Sequence, residues 1–352
     1  MTSRSPMHCI VPPELLRQII RHGSDQEREA ALRTLAIDST FRVSRAEIGA
    51  NPLARASRPT AVGRAAGQPH RAIYDEHHSE EMVLGTAARA EGVPPVDDPQ
   101  VNQAYDGFGA TWTFYWEVFQ RDSIDGSGMP IMGMVHFSTD YDNAFWDGQG
   151  HMFFGDGDGT MFTPLTNSFD VIGHELTHGV TQYTAGLSYV NQSGALNESI
   201  SDVFGSLAKQ YAKGQDAAAA DWLIGNDIVG PMLKPALRSL KSPGQANPHD
   251  TQPADMDHFV KTSQDHGGVH ANSGIPNHAF YVVATTIGGK AWEKAGKIWY
   301  ESLLDPQVQP NTDFAAFAKV TIRQAGHLFG TTSGEVDAVT AGWEAVKVKV
   351  TA

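Results

Sequence analysis

His174-Glu175-Leu176-Thr177-His178 is the stretch on which the reading turns. Two histidines four apart fall on one face of a helix, about one turn from each other. Two neutral imidazoles so placed can share one zinc ion, and the glutamate after the first lies near the water such an ion would activate. The chemistry is amide hydrolysis. Three fixed residues in five also occur by chance, so the rest of the chain has to supply what a zinc hydrolase needs.

A catalytic zinc takes three protein ligands and keeps one position open. Twenty residues after His178 stands Glu198, within Gly194-Ala-Leu-Asn-Glu-Ser-Ile-Ser-Asp202. Leu196, Ile200, Val203, Phe204 and Leu207 give this segment a helical period, so Glu198 and Asp202 share one face a turn apart. Glu198 can then reach the metal, while Asp202 accepts the second N–H of a ligating imidazole and fixes its tautomer. A lone Glu/Asp pair reads better as a solvated acidic face; the preceding helix tips this one toward the metal. The related layout with a third histidine six residues on needs glycine at 181 and histidine at 184, and is excluded by Thr181 and Thr184.

The bulk numbers suit such an enzyme. At 352 residues and 41% hydrophobic content the chain is globular, with room for two or three folding units. A net charge of -14 argues against nucleic acid and anionic membranes as partners. No apolar run approaches the eighteen residues of a transmembrane helix. The N-terminus does not read as a secretory signal. Cys9 is the single cysteine, so intramolecular disulfides are impossible.

Residues 1–50 form a separate unit. They hold seven arginines against six acids, a net of +1, which leaves -15 for the remainder. Pro12-Pro13-Glu14-Leu15-Leu16 opens a short helix. Ser24-Asp-Gln-Glu27 resembles a capping box before a second short helix reaching Leu35. So thin a unit needs a partner surface to stay folded. Residues 51–70, rich in Ala, Arg, Gly, Pro and Ser, read as a linker. Val101, Tyr105, Phe108, Trp112, Tyr115, Trp116 and Phe119 recur at helical spacing and read as a helix buried on a sheet. Ile131 to Ser138 and His151 to Phe154 read as strands. Helices are expected over Gly194 to Tyr211, Ile275 to Ile287, Ala291 to Leu304, Asp313 to Leu328 and Gly334 to Val346. Strands first and helices after make an α+β protein with the His-Glu helix at the junction.

Three spaced segments, His174 to His178, Asn197 to Asp202 and Gly267-Gly-Val-His-Ala-Asn-Ser-Gly274, together resemble the thermolysin family of zinc endopeptidases. Asp140-Tyr-Asp-Asn-Ala-Phe-Trp146 and Gly155-Asp-Gly-Asp-Gly159 are similar to it too. The likeness covers roughly residues 60 to 350, and the first 50 resemble the short prosegment of the protealysin branch. It implies a propeptide at 1–50, a processing region at 51–70, a strand-rich catalytic lobe at 71–187 and a helical one at 188–352. It implies one zinc per chain on His174, His178 and Glu198, with Asp202 and Asn197 behind the ligands and Glu175 as general base. Tyr189 and His270 match the donors to the developing oxyanion, and Asp265 the carboxylate that orients His270. Arg238 matches an arginine on the substrate carbonyl, and Asn143 and Ala144 an edge strand that holds the peptide. Phe162, Leu165, Val171, Ile224, Ile228 and Leu237 match the pocket for the residue after the cut, so bulky apolar side chains are favoured there. Pro12, Pro13 and Leu15 match a motif that sits in the cleft and keeps the precursor inactive.

Departures from the family are informative. Of five acids that hold a calcium pair in its best-known members, Asp170 and Asp221 persist, while Lys209, Leu223 and Asn226 replace the rest. A lysine does not ligate a hard cation, so the double calcium site is expected to be absent. Gly155 to Gly159 reads as a tight turn rather than a calcium loop. His266 replaces a usual asparagine beside Asp265. Cys9 could place a thiolate on the zinc, but a small buried residue is the better reading. The expected partners are peptide or protein substrates, the propeptide in cis and a protein inhibitor, with the chain a monomer. Family members are typically secreted. With no signal visible, export by another route and cytoplasmic retention both stay open. The alternative function is a catalytically inactive zinc-binding or inhibitory protein on the same scaffold. Retention of Glu175, the three ligands and both donors argues against it, and zinc content with casein cleavage would separate the two.

Overall fold

The computed structural model describes residues 8–48 and 67–350. The N-terminal unit comprises β1 (His8–Cys9), α1 (Pro13–His22) and α2 (Asp25–Ile48). Pro12 caps α1 and Pro13 begins it, where a missing N–H costs nothing. Ser24 and Glu27 form the expected box: the Ser24 amide donates to Glu27 Oε2 (2.6 Å) and the Glu27 amide to Ser24 Oγ (3.4 Å). The second helix is longer than expected, running to Ile48 instead of stopping near Leu35. No proline or glycine follows Leu35 before Gly49, so no stop signal interrupts it. Residues 49–66, most of the linker reading, lie outside the described residues.

The strand-rich part contains β2 (Arg71–Asp75), β3 (Thr86–Ala90), α3 (Pro99–Phe119), β4 (Ile131–Val135), β5 (Ala144–Trp146) and β6 (His151–Phe154). The strands form one mixed sheet in the order β1-β5-β6-β4-β2-β3. β1 pairs antiparallel with β5, so the N-terminal unit donates an edge strand to the main sheet. β1 and β5 carry too few residues for a period, and β2 (Arg-Ala-Ile-Tyr-Asp) and β3 (Thr-Ala-Ala-Arg-Ala) lack an apolar run, so only β4 and β6 read as strands in the sequence. Helix α3 starts at the Asp98 cap, whose carboxylate accepts from the amides of Gln100 and Val101. Its aromatic stripe is core: Tyr105, Phe108, Trp112 and Tyr115 are all buried.

Helix α4 (Phe169–Gln182) crosses to the helical part, which holds α5 (Asn191–Lys213), the two-stranded pair β7 (Leu223–Ile224) and β8 (Arg238–Ser239), α6 (Asp265–Asn272), α7 (Gly274–Ile287), α8 (Ala295–Leu304), α9 (Phe314–Phe329) and α10 (Gly334–Ala345). The expected helices are present, with α5 longer at both ends and α8 starting at Ala295 rather than Ala291. One apolar cluster runs through both parts and takes in Ile10, Val11, Leu15 and Leu16 from the N-terminal unit. That unit is therefore folded onto the core of the rest of the chain, as its thinness required. No described helix is long and apolar enough to cross a membrane.

Candidate active site

Two helices make the site by approaching closely. A Cβ on Gly173 of α4 would lie 3.1 Å from Gly205 Cα of α5, and one on Gly205 would lie 2.5 Å from the Asp170 carbonyl oxygen. Without side chains at that crossing, His174 and His178 on α4 meet Glu198 and Asp202 on α5, all fully buried. His174 Nδ1 donates to Asp202 Oδ1 (2.9 Å). His178 Nδ1 donates to Asn197 Oδ1 (2.8 Å), with Ser201 Oγ at 3.0 Å. Both protons being on Nδ1, each Nε2 presents a lone pair, and the two stand 3.0 Å apart. Glu198 Oε2 is 3.6 Å from His174 Nε2, and Glu198 Oε1 is 3.5 Å from His178 Nε2. Glu198 Oε2 is buried without a hydrogen-bond partner among the described residues. Converging lone pairs and a buried carboxylate repel unless a cation joins them, and two imidazoles with one carboxylate are a zinc donor set.

A second His/Asp cluster, Asp75, Asp98 and His136, shows the contrast. His136 Nδ1 faces Asp156 (3.0 Å) and Nε2 faces Asp98 Oδ2 (2.8 Å), so both nitrogens carry protons. Asp156, and then Asp98 against the effect of burial, raise this imidazole to about 9. It is an ion-paired tie rather than a lone-pair donor. Asp156 belongs to the Gly155 to Gly159 turn, where Asp158 accepts from the amides of Thr160, Met161 and Phe162.

Glu175 reaches β5. Its Oε2 accepts from the Trp146 amide (3.0 Å), and its Oε1 is buried with no partner among the described residues. Burial first, then the charge of Glu198, pushes its carboxyl well above the usual carboxylate range. Arg238 on β8 grips Asp202 through Nε (3.0 Å) and Nη2 (2.8 Å). Burial opposes the charge on Asp202, but Arg238 and His174 hold it well below the usual range.

His270 owes its place to a left-handed run, Asp265 to Gly268, at the start of α6. A Cβ on Gly267 would meet Asn191 Oδ1 at 2.2 Å, so only glycine fits that turn. The turn returns Asp265 onto His270: Oδ1 accepts from Nδ1 (2.7 Å) and Oδ2 from the backbone amide (3.0 Å). Burial opposes a charge on His270, but Asp265 and then Glu198 outweigh it and raise the ring to about 9. The Tyr189 hydroxyl donates to Glu198 and lies 3.1 Å from His270 Nε2. The Tyr189 ring meets His266 edge-on at 5.7 Å.

The N-terminal segment fills the cleft. Ile10 N donates to the Ala144 carbonyl (3.2 Å). Val11 N donates to Asn143 Oδ1 (2.9 Å), and Asn143 Nδ2 to the Val11 carbonyl (3.4 Å). Arg238 Nη1 donates to the Ile10 carbonyl (2.7 Å), and His270 Nε2 to the Cys9 carbonyl (2.9 Å). Ile10 and Val11 carry no sequence motif, and Cys9 stands out in the sequence for its thiol rather than for its carbonyl. The expected plug, Pro12, Pro13 and Leu15, sits one step further along. Pro12 and Leu15 line a cavity of about 250 Å³ beside Arg238, Asp265 and His270, and Pro13 is buried at the start of α1. Cys9 packs with Ile37, Met134, Phe137, Tyr141, Phe145 and Phe153, and the metal-ligand cluster contains no thiol. The pocket residues Phe162, Leu165, Val171, Ile224, Ile228 and Leu237 are buried in the same apolar cluster as Ile10. At the replaced calcium positions Lys209 Nζ contacts Asp170 Oδ2 (2.7 Å), Asp221 Oδ1 (3.0 Å), the Leu223 carbonyl (2.7 Å) and Asn226 Oδ1 (3.3 Å).

Comparison with known proteins gives a concordant picture. Residues 71–182 match a family described as thermolysin metallopeptidase, catalytic domain; 185–348 match thermolysin metallopeptidase, alpha-helical domain; and 8–36 match protealysin propeptide. An extracellular metalloprotease of Pectobacterium carotovorum subsp. carotovorum is 45% identical, covering 99% of both chains. Protease PrtS of Photorhabdus sp. (strain Az29) is 42% identical over 97% of this chain and 92% of its own. A solved structure, the precursor of protealysin, a metalloproteinase from Serratia proteamaculans, superposes with a TM-score of 0.86 at 43% identity, covering 97% of this chain and 100% of that one.

Proposed function

This chain belongs to the thermolysin family of metallopeptidases, propeptide included, and from that premise we propose how its own residues cut a peptide and how its first 50 hold them idle. It is a thermolysin-like metalloendopeptidase in precursor form. The observation that carries the assignment of its centre is the convergence of His174 Nε2, His178 Nε2 and Glu198 in one buried cluster. These three hold the zinc, which when bound supplies Lewis acidity to polarise the carbonyl and acidify water.

The chain's residues do the rest. Glu175 takes a proton from the attacking water on Oε1 and passes it to the leaving nitrogen. His270, with both ring nitrogens protonated, donates to the carbonyl oxygen as charge develops, and Tyr189 is the second donor. Asp265 keeps that imidazole oriented and cationic. Asn143 and Ala144 take the substrate as an added strand, and Arg238 holds the carbonyl of the residue after the cut. The apolar pocket from Phe162 to Leu237 favours a bulky apolar side chain there. Asp202 and Asn197 fix the ligand tautomers. Lys209 takes over the role of calcium beside Asp170 and Asp221. We place the enzyme outside the cell, as the name of the Pectobacterium relative suggests, and read it as a monomer with peptide substrates.

Latency follows from occupancy: residues 9–11 use the contacts a substrate would use. Incubating the purified full-length chain while reading its N-terminus and its cleavage of an apolar peptide tests this. Activity should rise as the first 50 or so residues disappear. Full activity in the uncut chain would overturn the zymogen reading.

A further inference from the structure

We propose that this enzyme cuts its own N-terminal segment in cis, between Cys9 and Ile10. The proposal deepens the peptidase reading and rests on it. Three carbonyls of the segment meet the cleft, and they differ in what they face. Val11 O meets Asn143 Nδ2 (3.4 Å) and Ile10 O meets Arg238 Nη1 (2.7 Å). Cys9 O meets His270 Nε2 (2.9 Å), a nitrogen only 3.7 Å from Glu198 Oε1. The Cys9 carbonyl is thus the one that abuts the metal-ligand cluster. On the other side of the same amide, Ile10 N is held by the Ala144 carbonyl (3.2 Å). The amide is pinned from both ends, with Ile10 fully buried on the amine side. Glu175 reaches the neighbouring strand through the Trp146 amide and keeps Oε1 for a water.

The pleat of the strand and the proline at position 12 fix the register. Sliding the strand by one residue turns every side chain to the wrong face. Sliding it by two toward the N-terminus puts Pro12 where Ile10 donates its N–H, and proline has none; the pairing of His8 with Trp146 and Cys9 with Phe145 sets the register in the other direction. Cys9–Ile10 is therefore the bond this cleft presents to its own catalytic groups. In the step, the water oxygen bonds to the Cys9 carbonyl carbon and the Cys9–Ile10 C–N bond breaks. Both water protons end on the Ile10 nitrogen, one by way of Glu175 as the bond breaks and the other from the new carboxyl group. The products are a peptide ending in a Cys9 carboxylate and a chain beginning with the Ile10 ammonium. Two charges replace a neutral amide in a buried cleft, which weakens the segment's hold.

The test uses the zinc-loaded full chain, intact-mass measurement and N-terminal sequencing over a tenfold range of protein concentration. A peptide ending at Cys9 should appear at a first-order rate independent of concentration. It should be absent from Glu175→Gln and at least tenfold slower in Ile10→Asp. Hydrogen exchange supplies a readout separate from catalysis: in Glu175→Gln the amides of Ile10 and Val11 should be protected, and Ile10→Asp in that background should abolish the protection. If no such product forms while the preparation cleaves a test peptide in solution, the inference falls and the peptidase reading stands. If neither occurs, the reading falls and takes the inference with it. Unprotected amides at Ile10 and Val11 would also overturn it.

Discussion

Replacing Lys209 by methionine keeps the length of the side chain and removes its charge. Lys209 and Asp170 are about as buried as side chains become, 1% and 0% exposed, and their ion pair is 2.7 Å long. Burial alone would lower the ammonium, but Asp170 first and Asp221 next outweigh it and hold it above its ordinary range. Removing one member of such a pair costs about 3–5 kcal/mol, because the other charge is left buried. Asp170 keeps Ser168 Oγ (2.5 Å) and the Gly225 amide (3.2 Å), which favours the lower part of that range. At about 2 °C per kcal/mol for a chain of this size, the melting temperature should fall by ~6–8 °C. Thermal unfolding at a fixed scan rate measures it, with and without millimolar calcium. Calcium should leave the wild type unchanged, while Lys209→Glu, which restores an oxygen donor beside Asp170 and Asp221, should be stabilised by it. A Lys209→Met protein melting within 2 °C of the wild type, or a wild type stabilised by calcium, would refute the reasoning.

Other outcomes rest on the same contacts. Asp202→Asn should weaken zinc binding about 10–100-fold in a chelator competition, because a neutral amide oxygen supports His174 less strongly than a carboxylate. It should also lower stability by about 3–5 kcal/mol, because Arg238 is left as a buried unpaired cation. Glu175→Ala should keep its zinc by elemental analysis yet cleave an apolar peptide about 10²–10⁴-fold more slowly once its N-terminal segment has been removed. His136 is raised to about 9 by Asp156 and Asp98, against ~6.5 when unfolded. Its contribution is complete below pH ~6.5 and is lost as pH rises through 9. Urea midpoints of wild type should therefore fall between pH 6.5 and 9 more steeply than those of His136→Asn.

Much of the centre was legible because helices advertise themselves over four residues. His174 and His178 fix a face of α4, Glu198 and Asp202 fix one of α5, and both helices formed as their periods required. What sets the two faces against each other is the Gly173–Gly205 crossing, and no local pattern marks two glycines as facing. The left-handed run before His270 is hinted at by Gly267-Gly268, but Asp265 and His266 at positive φ are not. Two-residue and three-residue strands carry no period, so β1 and β5 were invisible, and with them the strand pairing that seats Cys9, Ile10 and Val11. The Pro-Pro motif drew attention to the helix start, whereas proline's role is to end the pairing one residue earlier. Lys209 was readable as a replaced ligand only through resemblance. Its four oxygen contacts come from two separate segments, at Asp170 and at residues 221–226, that the fold alone brings together.

On the proposed function, one zinc per chain is held by His174, His178 and Glu198. The most direct test strips the matured enzyme of metal and titrates zinc back while apolar-peptide cleavage is followed. Activity should be lost on stripping, return in proportion to added zinc, and level off at about one equivalent per chain, with calcium alone restoring none. Full activity in the stripped enzyme, or restoration by calcium without zinc, would contradict the account.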